Sequence, residues 1–448
     1  MTYFKRLIDD KLLQWKDAPD RKPLLLRGAR QVGKSTAVRE FGRQFRYFLE
    51  INLEKQPALR QLFTEDINVK KTCEKLSAIL AVPIKPGETL LFIDEIQASQ
   101  NAIMSLRYFK EDFPELHVIA AGSLLEFALG EIPSFGVGRI RSMYVYPFSF
   151  DEFLAAQGLE AMVGLKSDAS CCEPLPAAAH NALVEQLRSF YLVGGMPAAV
   201  AIWTRAHSYA EVSRVHNDIL DTYRDDFAKY KSRLSPSLLW QVLRSAAMQV
   251  GTKFSFTRAA QDTRSSVVKD ALRLLTQAGL IIPVTHSDGN GLPLGAEQNE
   301  RFTKYLFFDL GVMQTMLGVN ARDILLATDV DFVNKGAASE MFAGLEMVKY
   351  QDCYVKAELH YWVNTARGTN AEVDYLCARD GVVLPVKVKA STQGAMQSLW
   401  FFMRKRHLQR AVRTSLEHFG QLSRQDTDSP QTAFHVDIVP LYALSNLR

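Results

Sequence analysis

The sequence predicts an α/β protein of several domains, led by a P-loop parallel sheet. Three observations predict it. A strand runs into a glycine-rich loop and a helix around residue 30, and a second apolar strand ends in two acids at residues 94 and 95. Late in the chain, two β-like runs flank the tight turn "ARDG", with Asp374 on the first and Lys387 and Lys389 on the second. The chain has room for this: at roughly 100 to 200 residues per domain, 448 residues allow two to four domains. Hydrophobic residues make up 47% and charged residues 23%, a folded rather than a disordered profile. The formal net charge of +4 gives no bulk argument for nucleic acid, so any basic face has to be argued locally.

The five cysteines are scattered, with Cys171 and Cys172 adjacent, and none has the Cys-x-x-Cys spacing of zinc or redox sites. Reduced structural thiols are expected. The N-terminus, "MTYFKRLIDDKLLQWKDAPD", carries charges every few residues and lacks the apolar core of a signal peptide. No later stretch has the roughly 20 apolar residues of a membrane span. The expectation is a cytoplasmic protein with no membrane partner.

The first element is "KPLLLRGARQVGKSTAVREF": an apolar strand, then Gly28-x-x-x-x-Gly33-Lys34-Ser35, then a helical pattern. This is a P-loop in the strand-loop-helix context that the motif requires. Glycines let the backbone N–H groups of Gly28, Ala29, Arg30, Gln31, Val32, Gly33, Lys34, Ser35 and Thr36 curl around phosphates. The helix that follows points its positive end at them. Lys34 is expected to reach the β- and γ-phosphates of ATP, and Ser35 to ligate Mg2+. A second strand, "ETLLFIDEIQ", delivers Asp94 to the same magnesium and Glu95 to polarise the attacking water. Alone, "FIDE" is any buried strand ending in acids; beside the P-loop it reads as a Walker B. Another buried strand, "HVIAAGSLLEF", ends at Gly122 and Ser123, and "GVGRIRSMYVYPFSFDEFL" places Arg139 and Arg141 before a fifth strand.

Together "LLLRGARQVGKST", "LLFIDEIQ", "IAAGSLLEF" and "YVYPFSFDEFL" resemble a class of prokaryotic AAA-type ATPases related to the origin-recognition and STAND-type ATPases. The resemblance implies a five-stranded parallel sheet sandwiched by helices over residues 1–160. It makes Ser123 the candidate sensor of the γ-phosphate, the alternative being a helix N-cap serine. Arg139, after the flexible "GVG", is the better arginine-finger candidate for a neighbour's nucleotide, which would require a homo-oligomer. The alternative is an ordinary solvated arginine.

Residues 161–235 are expected to form a helical lid. Residues 165–182 lack periodicity and read as a loop, and "LRSFYLVGGMPAAVAIW" is a helix broken by Gly194, Gly195 and Pro197. In the resembled class this Gly-Gly-x-Pro element packs beside the adenine, making Gly195 and Pro197 nucleotide-contact candidates; a plain helical corner is the alternative. Residues 236–330 read as three helices and a two-stranded wing, a winged helix whose third helix can enter the major groove of DNA. Between 238 and 280, six basic residues (Arg244, Lys253, Arg258, Arg264, Lys269, Arg273) stand against two acids, a balance suited to phosphate contacts. Arg264, Ser265, Ser266 and Lys269 would lead. Winged helices also serve as protein-binding modules, so a protein partner stays open.

In residues 331–448 an amphipathic helix carrying Glu340 precedes three strands, a further helix and a last strand, "FHVDIVPLYAL". This order resembles the restriction-endonuclease-like, PD-(D/E)XK, superfamily, and the AAA-type class already named carries a C-terminal domain of unknown function of this kind. In that superfamily a helix glutamate, a strand aspartate and an acid-x-lysine converge: the acids bind magnesium and the lysine activates water. Glu340 matches the helix acid, Asp374 the strand acid and Lys389 the lysine, but Lys387 stands where the second acid belongs. An ammonium there removes a ligand and changes the local charge by two units, so magnesium affinity should collapse. Glu372 lies one pleat along from Asp374 and is not expected to replace the missing acid. The expected result is a degenerate nuclease fold that holds DNA through Lys387, Lys389 and the helix end Arg404, Lys405 and Arg406, the alternative being a sheet with solvated lysines.

The reading is therefore an ATP-hydrolysing AAA-type switch or motor that engages nucleic acid. The alternative is a STAND-like ATP-gated sensor or scaffold that binds proteins, and a third is an ATP-dependent nuclease.

Overall fold

The computed structural model describes residues 3–64, 66–122, 129, 138–228, 234–319, 335–366, 371–389, 396–425 and 433–447. The chain forms two compact units: residues 1–148 with 277–279 and 352–356, and residues 149–276 with 280–351 and 357–448. Among the described residues no helix is long and apolar enough to cross a membrane.

The first unit alternates helix and strand: α1 (Leu7–Lys16), β1 (Leu24–Arg27), α2 (Lys34–Gly42), β2 (Tyr47–Asn52), α3 (Val69–Leu80), β3 (Thr89–Asp94), α4 (Gln100–Asp112), β4 (His117–Ala121) and β5 (Arg141–Tyr144). Every residue of β3 and β4 is buried, as befits strands covered on both faces. The strands pair in parallel in the order β2-β3-β4-β1-β5, the five-stranded parallel sheet that the family resemblance implies. Leu25, Ile51, Leu91 and Ile93 share one core with Leu76 of α3 and Leu106 of α4, while α2 packs on β3 and β4. The loop after β1 and the acids that end β3 consequently open at the carboxyl edge of the sheet, where open α/β sheets bind ligands.

The second unit starts earlier than residue 160. Its first helix, α5 (Phe150–Ala156), is capped by a Ser149/Glu152 box, and the Glu346 carboxylate accepts the Phe150 N–H at 3.1 Å. The helices α6 (Glu160–Asp168), α7 (Ala177–Val193), α8 (Pro197–Ala206) and α9 (Tyr209–Phe227) follow. Then come α10 (Pro236–Met248), α11 (Phe256–Ala259), α12 (Ser265–Gln277), β6 (Ile281–Ser287), β7 (Gln298–Phe307) and α13 (Leu310–Met316). The rest is α14 (Lys335–Lys349), β8 (Leu359–Val363), β9 (Glu372–Arg379), β10 (Val382–Val388), α15 (Gln397–Lys405), β11 (Arg410–Ser415), β12 (Gly420–Gln425) and β13 (Ala433–Pro440).

These eight strands form one sheet, in the order β12-β13-β11-β10-β9-β8-β6-β7. The expected boundary at 330/331 therefore falls between strands of a single sheet. The β6-β7 hairpin is not free-standing: β6 pairs in parallel with β8, Val284 opposite Leu359. A lone two-stranded hairpin is marginal in water, and pairing its open edge removes that liability. The "ARDG" turn is as tight as its sequence suggests. Asp380 (φ 51°) and Gly381 (φ 78°) are both left-handed, and Arg379 pairs with Val382 across them. Strands β11 and β12 carry no clear period-2 signal.

Candidate functional site

At the end of β1 the chain turns through Gly28 (φ 134°) and enters α2 through Gly33 (φ 95°), conformations open to glycine. Gly28 backs onto the Val145 carbonyl so closely that a Cβ would overlap it. Within the loop, Gln31 is also left-handed at φ 65°. Lys34, the first residue of α2, is 7% exposed and donates from Nζ to the carbonyls of Gly28 and Ala29, both at 2.8 Å. Burial pushes its pKa down to about 8, against the opposing pull of Glu95 and Asp94.

Ser35 Oγ donates to Asp94 Oδ1 at 3.0 Å, joining the P-loop helix to the end of β3. Burial, with Glu95 beside it, holds the Asp94 carboxyl above its ordinary range, against the Ser35 hydrogen bond. Glu95 follows in a left-handed conformation (φ 48°, ψ 46°). Lys34, Ser35, Asp94 and Glu95, from two separate stretches of sequence, thus come together.

Three further residues belong here that sequence reasoning missed. Asn52 ends β2 and donates to Asp94 Oδ2 at 3.3 Å. Gln97 donates from Nε2 to Glu95 Oε2 at 2.6 Å. The 5%-exposed Arg6 donates to the carbonyls of Val32 (3.1 Å) and Tyr146 (2.8 Å) and stacks on Phe148, bracing the P-loop from behind. The polar ending of "FLEIN" beside "LLFID" was a usable signal for Asn52; nothing local marks Arg6.

The remaining candidates are placed as follows. Ser123 lies outside the described residues. Arg139 is paired with Glu111 of α4, and Arg141 lies over the Tyr354 ring. Gly195 and Pro197 lie in the second unit, where the Gly195 N–H is bonded to Asp309 Oδ2 at 2.7 Å and Pro197 opens α8. Asp309 also accepts the Val312 N–H at 3.0 Å as the N-cap of α13, so this glycine's amide is used in a helix cap.

A second cluster sits on the eight-stranded sheet. Carboxylate oxygens of Glu340 (α14), Glu372 and Asp374 (both β9) lie within 4.8 Å of one another, so Glu372 does join the other two, contrary to the sequence expectation. The pleat separates their backbones, but the longer glutamate side chain spans that distance. Two ammonium groups occupy the cluster. Lys304 of β7, 1% exposed, donates to Glu340 at 2.8 Å and Glu372 at 2.5 Å. Lys387 of β10 donates to Asp374 Oδ1 at 2.8 Å and to the Glu372 carbonyl at 3.1 Å. The second Asp374 oxygen accepts the Val388 N–H at 2.6 Å.

Burial pushes Glu340 up to about 8 although Lys304 pulls it down. Burial alone would depress Lys304, but Glu340, Glu372 and Asp374 together raise it above its ordinary value. Lys387 thus turns inward to an acid instead of facing phosphates, correcting the sequence expectation. Lys389 is half-buried and its pKa is lowered, by burial first and then by Lys387. An ammonium group holds one oxygen of each carboxylate, which works against a divalent cation at this cluster. Lys304 was missed because it lies in the stretch read as a wing.

Residues 20–154 match the family described as an AAA domain, and the five-stranded parallel sheet fits it. The fold of the first unit fits an AAA-type ATPase domain. Residues 184–323 and 335–442 each match a domain of unknown function, DUF8612 and DUF4143 respectively. No curated protein matches the chain. Among solved structures it is similar to a Walker-type ATPase of Pyrococcus abyssi, at 17% identity and TM-score 0.45 over 70% of this chain and 96% of that one. It is also similar to the ORC1 protein of Aeropyrum pernix in complex with DNA (14%, TM-score 0.29, 72% and 95%). A third similarity is to a STAND protein with a tetratricopeptide repeat sensor from Pyrococcus horikoshii (11%, TM-score 0.28, 77% and 45%).

Proposed function

We propose that the chain is a magnesium-dependent ATP-hydrolysing switch whose second unit engages nucleic acid. The observation that carries the ATPase part is the contact of Ser35 with Asp94 beside Lys34 and Glu95. A hydroxyl and a carboxylate are the hard oxygen donors magnesium takes, so the residues present fit the ion. Magnesium, when bound, would neutralise phosphate charge. The loop amides would hold the phosphates, and Lys34 would leave the Gly28 and Ala29 carbonyls to reach them. Glu95 would accept the proton of the attacking water. The test is a phosphate-release assay with nucleotide titration. Lys34→Ala should abolish binding, and Glu95→Gln should bind ATP without turning it over. Tight ATP binding by Lys34→Ala would refute the P-loop assignment.

Nucleic-acid engagement draws support from the winged-helix order of α10, α11, α12, β6 and β7 and from the exposure of Arg244, Lys253, Arg258, Arg264, Lys269 and Arg273. Ser265 and Ser266 at the start of α12 are exposed too. The lysine-filled carboxylates on the sheet support a holding platform over a cleaving one, against the ATP-dependent nuclease. Single-stranded, duplex and forked DNA should each be offered to the ATP-loaded Glu95→Gln protein. If none binds and none changes wild-type turnover, the reading gives way to an ATP-gated scaffold for protein partners. An arginine finger in trans would require Arg139 to leave Glu111 and the chain to assemble with its copies. A strictly monomeric chain with full turnover would exclude it.

A further inference from the structure

We propose that Gln97 is the second protein group that orients the attacking water, acting beside Glu95. The inference rests on the ATPase reading above and concerns a residue that reading leaves unused. Its basis is a hydrogen-bonding accounting at the end of β3.

Glu95 leaves the strand in a left-handed conformation and starts a short 3-10 turn, Ile96–Ala98, closed by Ala98 N–H to the Glu95 carbonyl at 3.0 Å. A non-glycine residue in that region is uncommon and holds only where the surroundings enforce it. Here the turn brings the side chain at position 97 back to the one at 95. The resulting Gln97 Nε2 to Glu95 Oε2 bond, at 2.6 Å, is charge-assisted. It also settles which way the amide faces, because a carboxylate accepts only from the NH2 end.

The other end of that amide is the informative atom. Gln97 Oε1 is buried and has no hydrogen-bond partner among the described residues. Leaving a buried acceptor unmet forfeits its hydration without a replacement bond. An ionised carboxylate and an amide oxygen are both acceptors, so a small species serving both must offer two hydrogens. Water does so. Ser35 and Asp94 would hold magnesium, and a phosphate oxygen offers no donor.

In the hydrolytic step the water oxygen attacks the γ-phosphorus. The bond from that phosphorus to the β–γ bridging oxygen breaks, and its electron pair leaves with ADP. One water proton passes to Glu95. The other stays on the oxygen, is held toward Gln97 Oε1 during attack and leaves on the inorganic phosphate. Gln97 aims the water without taking a proton.

The test compares Gln97→Ala and the size-preserving Gln97→Glu with wild type in steady-state phosphate release, fluorescent-nucleotide titration and melting temperature. We expect kcat to fall on the order of 10- to 100-fold, the scale of misplacing a reacting group, with KM and ATP affinity within about 3-fold of wild type. Should Gln97→Ala not fold, Gln97→Glu keeps the side-chain length and should still be slow. Wild-type kcat in either folded variant overturns the inference, as does a loss seen in nucleotide affinity with kcat intact. A wild-type chain that binds ATP but never hydrolyses it overturns the ATPase reading, and this inference with it. Normal wild-type turnover with unimpaired Gln97 variants sinks the inference alone.

Discussion

At the scale of single residues, what was legible in the sequence is what acts through its own neighbours. Gly28, Gly33, Lys34 and Ser35 form one short stretch, and Asp94 and Glu95 end an unbroken apolar run, so spacing alone located them. Arg6, Asn52, Gln97 and Lys304 work across the fold, through bonds that no local pattern encodes. Lys304 carries the largest consequence: Lys304→Met would leave Glu340 and Glu372 without its ammonium. Removing one partner of a buried pair costs about 3–5 kcal/mol, a loss readable by denaturant melts, whereas an unchanged midpoint would mean the contact contributes nothing. His117 on β4 gives a prediction about acid. Burial first, then Arg21, pushes its pKa down to about 4 from an ordinary 6.5. Between those values the unfolded chain takes up a proton that the folded one refuses, so stability falls as pH drops from 6.5 towards 4. Melting curves of the first unit across that range should slope accordingly, and His117→Phe should flatten the slope.

At the scale of elements, helices and central strands were read well because hydrophobic runs and turn residues mark them, as "ARDG" and "LLFID" do. The Gly-Gly-x-Pro break, legible as a nucleotide contact or a plain helical corner, takes part in a helix cap. Gly194 lies at φ 66° and ψ −165°, and a Cβ there would overlap the Asp309 carboxylate that caps α13. Gly194→Ala should therefore cost about 1–3 kcal/mol through the backbone conformation alone. It should also loosen α13, seen as faster amide exchange at Val312. Normal exchange there would disprove the capping role. Strands β11 and β12 escaped because Arg410–Ser415 and Gly420–Gln425 mix polar and apolar residues without alternation, their place being fixed by pairing with β13.

At the scale of the whole molecule, the sequence suggested four consecutive blocks, and the fold answers with two units. The reason is pairing across distance: β6 and β7 precede the expected last boundary, yet β8 lies against β6 and Lys304 of β7 reaches acids on α14 and β9. Cutting the chain after residue 330 would bare the edge of β6 and strip Lys304 of its carboxylates. Such a truncation should be insoluble or should bind a hydrophobic dye while the full chain does not. A well-folded monomer from that truncation would refute the single-sheet assignment.

The two ammonium groups on the Glu340, Glu372 and Asp374 carboxylates also bear on how this sheet can change over generations. Replacing Lys387 by an acid leaves Lys304 seated and adds a charge that nothing balances. Replacing Lys304 by a neutral residue leaves buried acids repelling one another. Either step by itself passes through a less stable chain, so turning this arrangement into a cation-binding one takes coupled substitutions at both lysines.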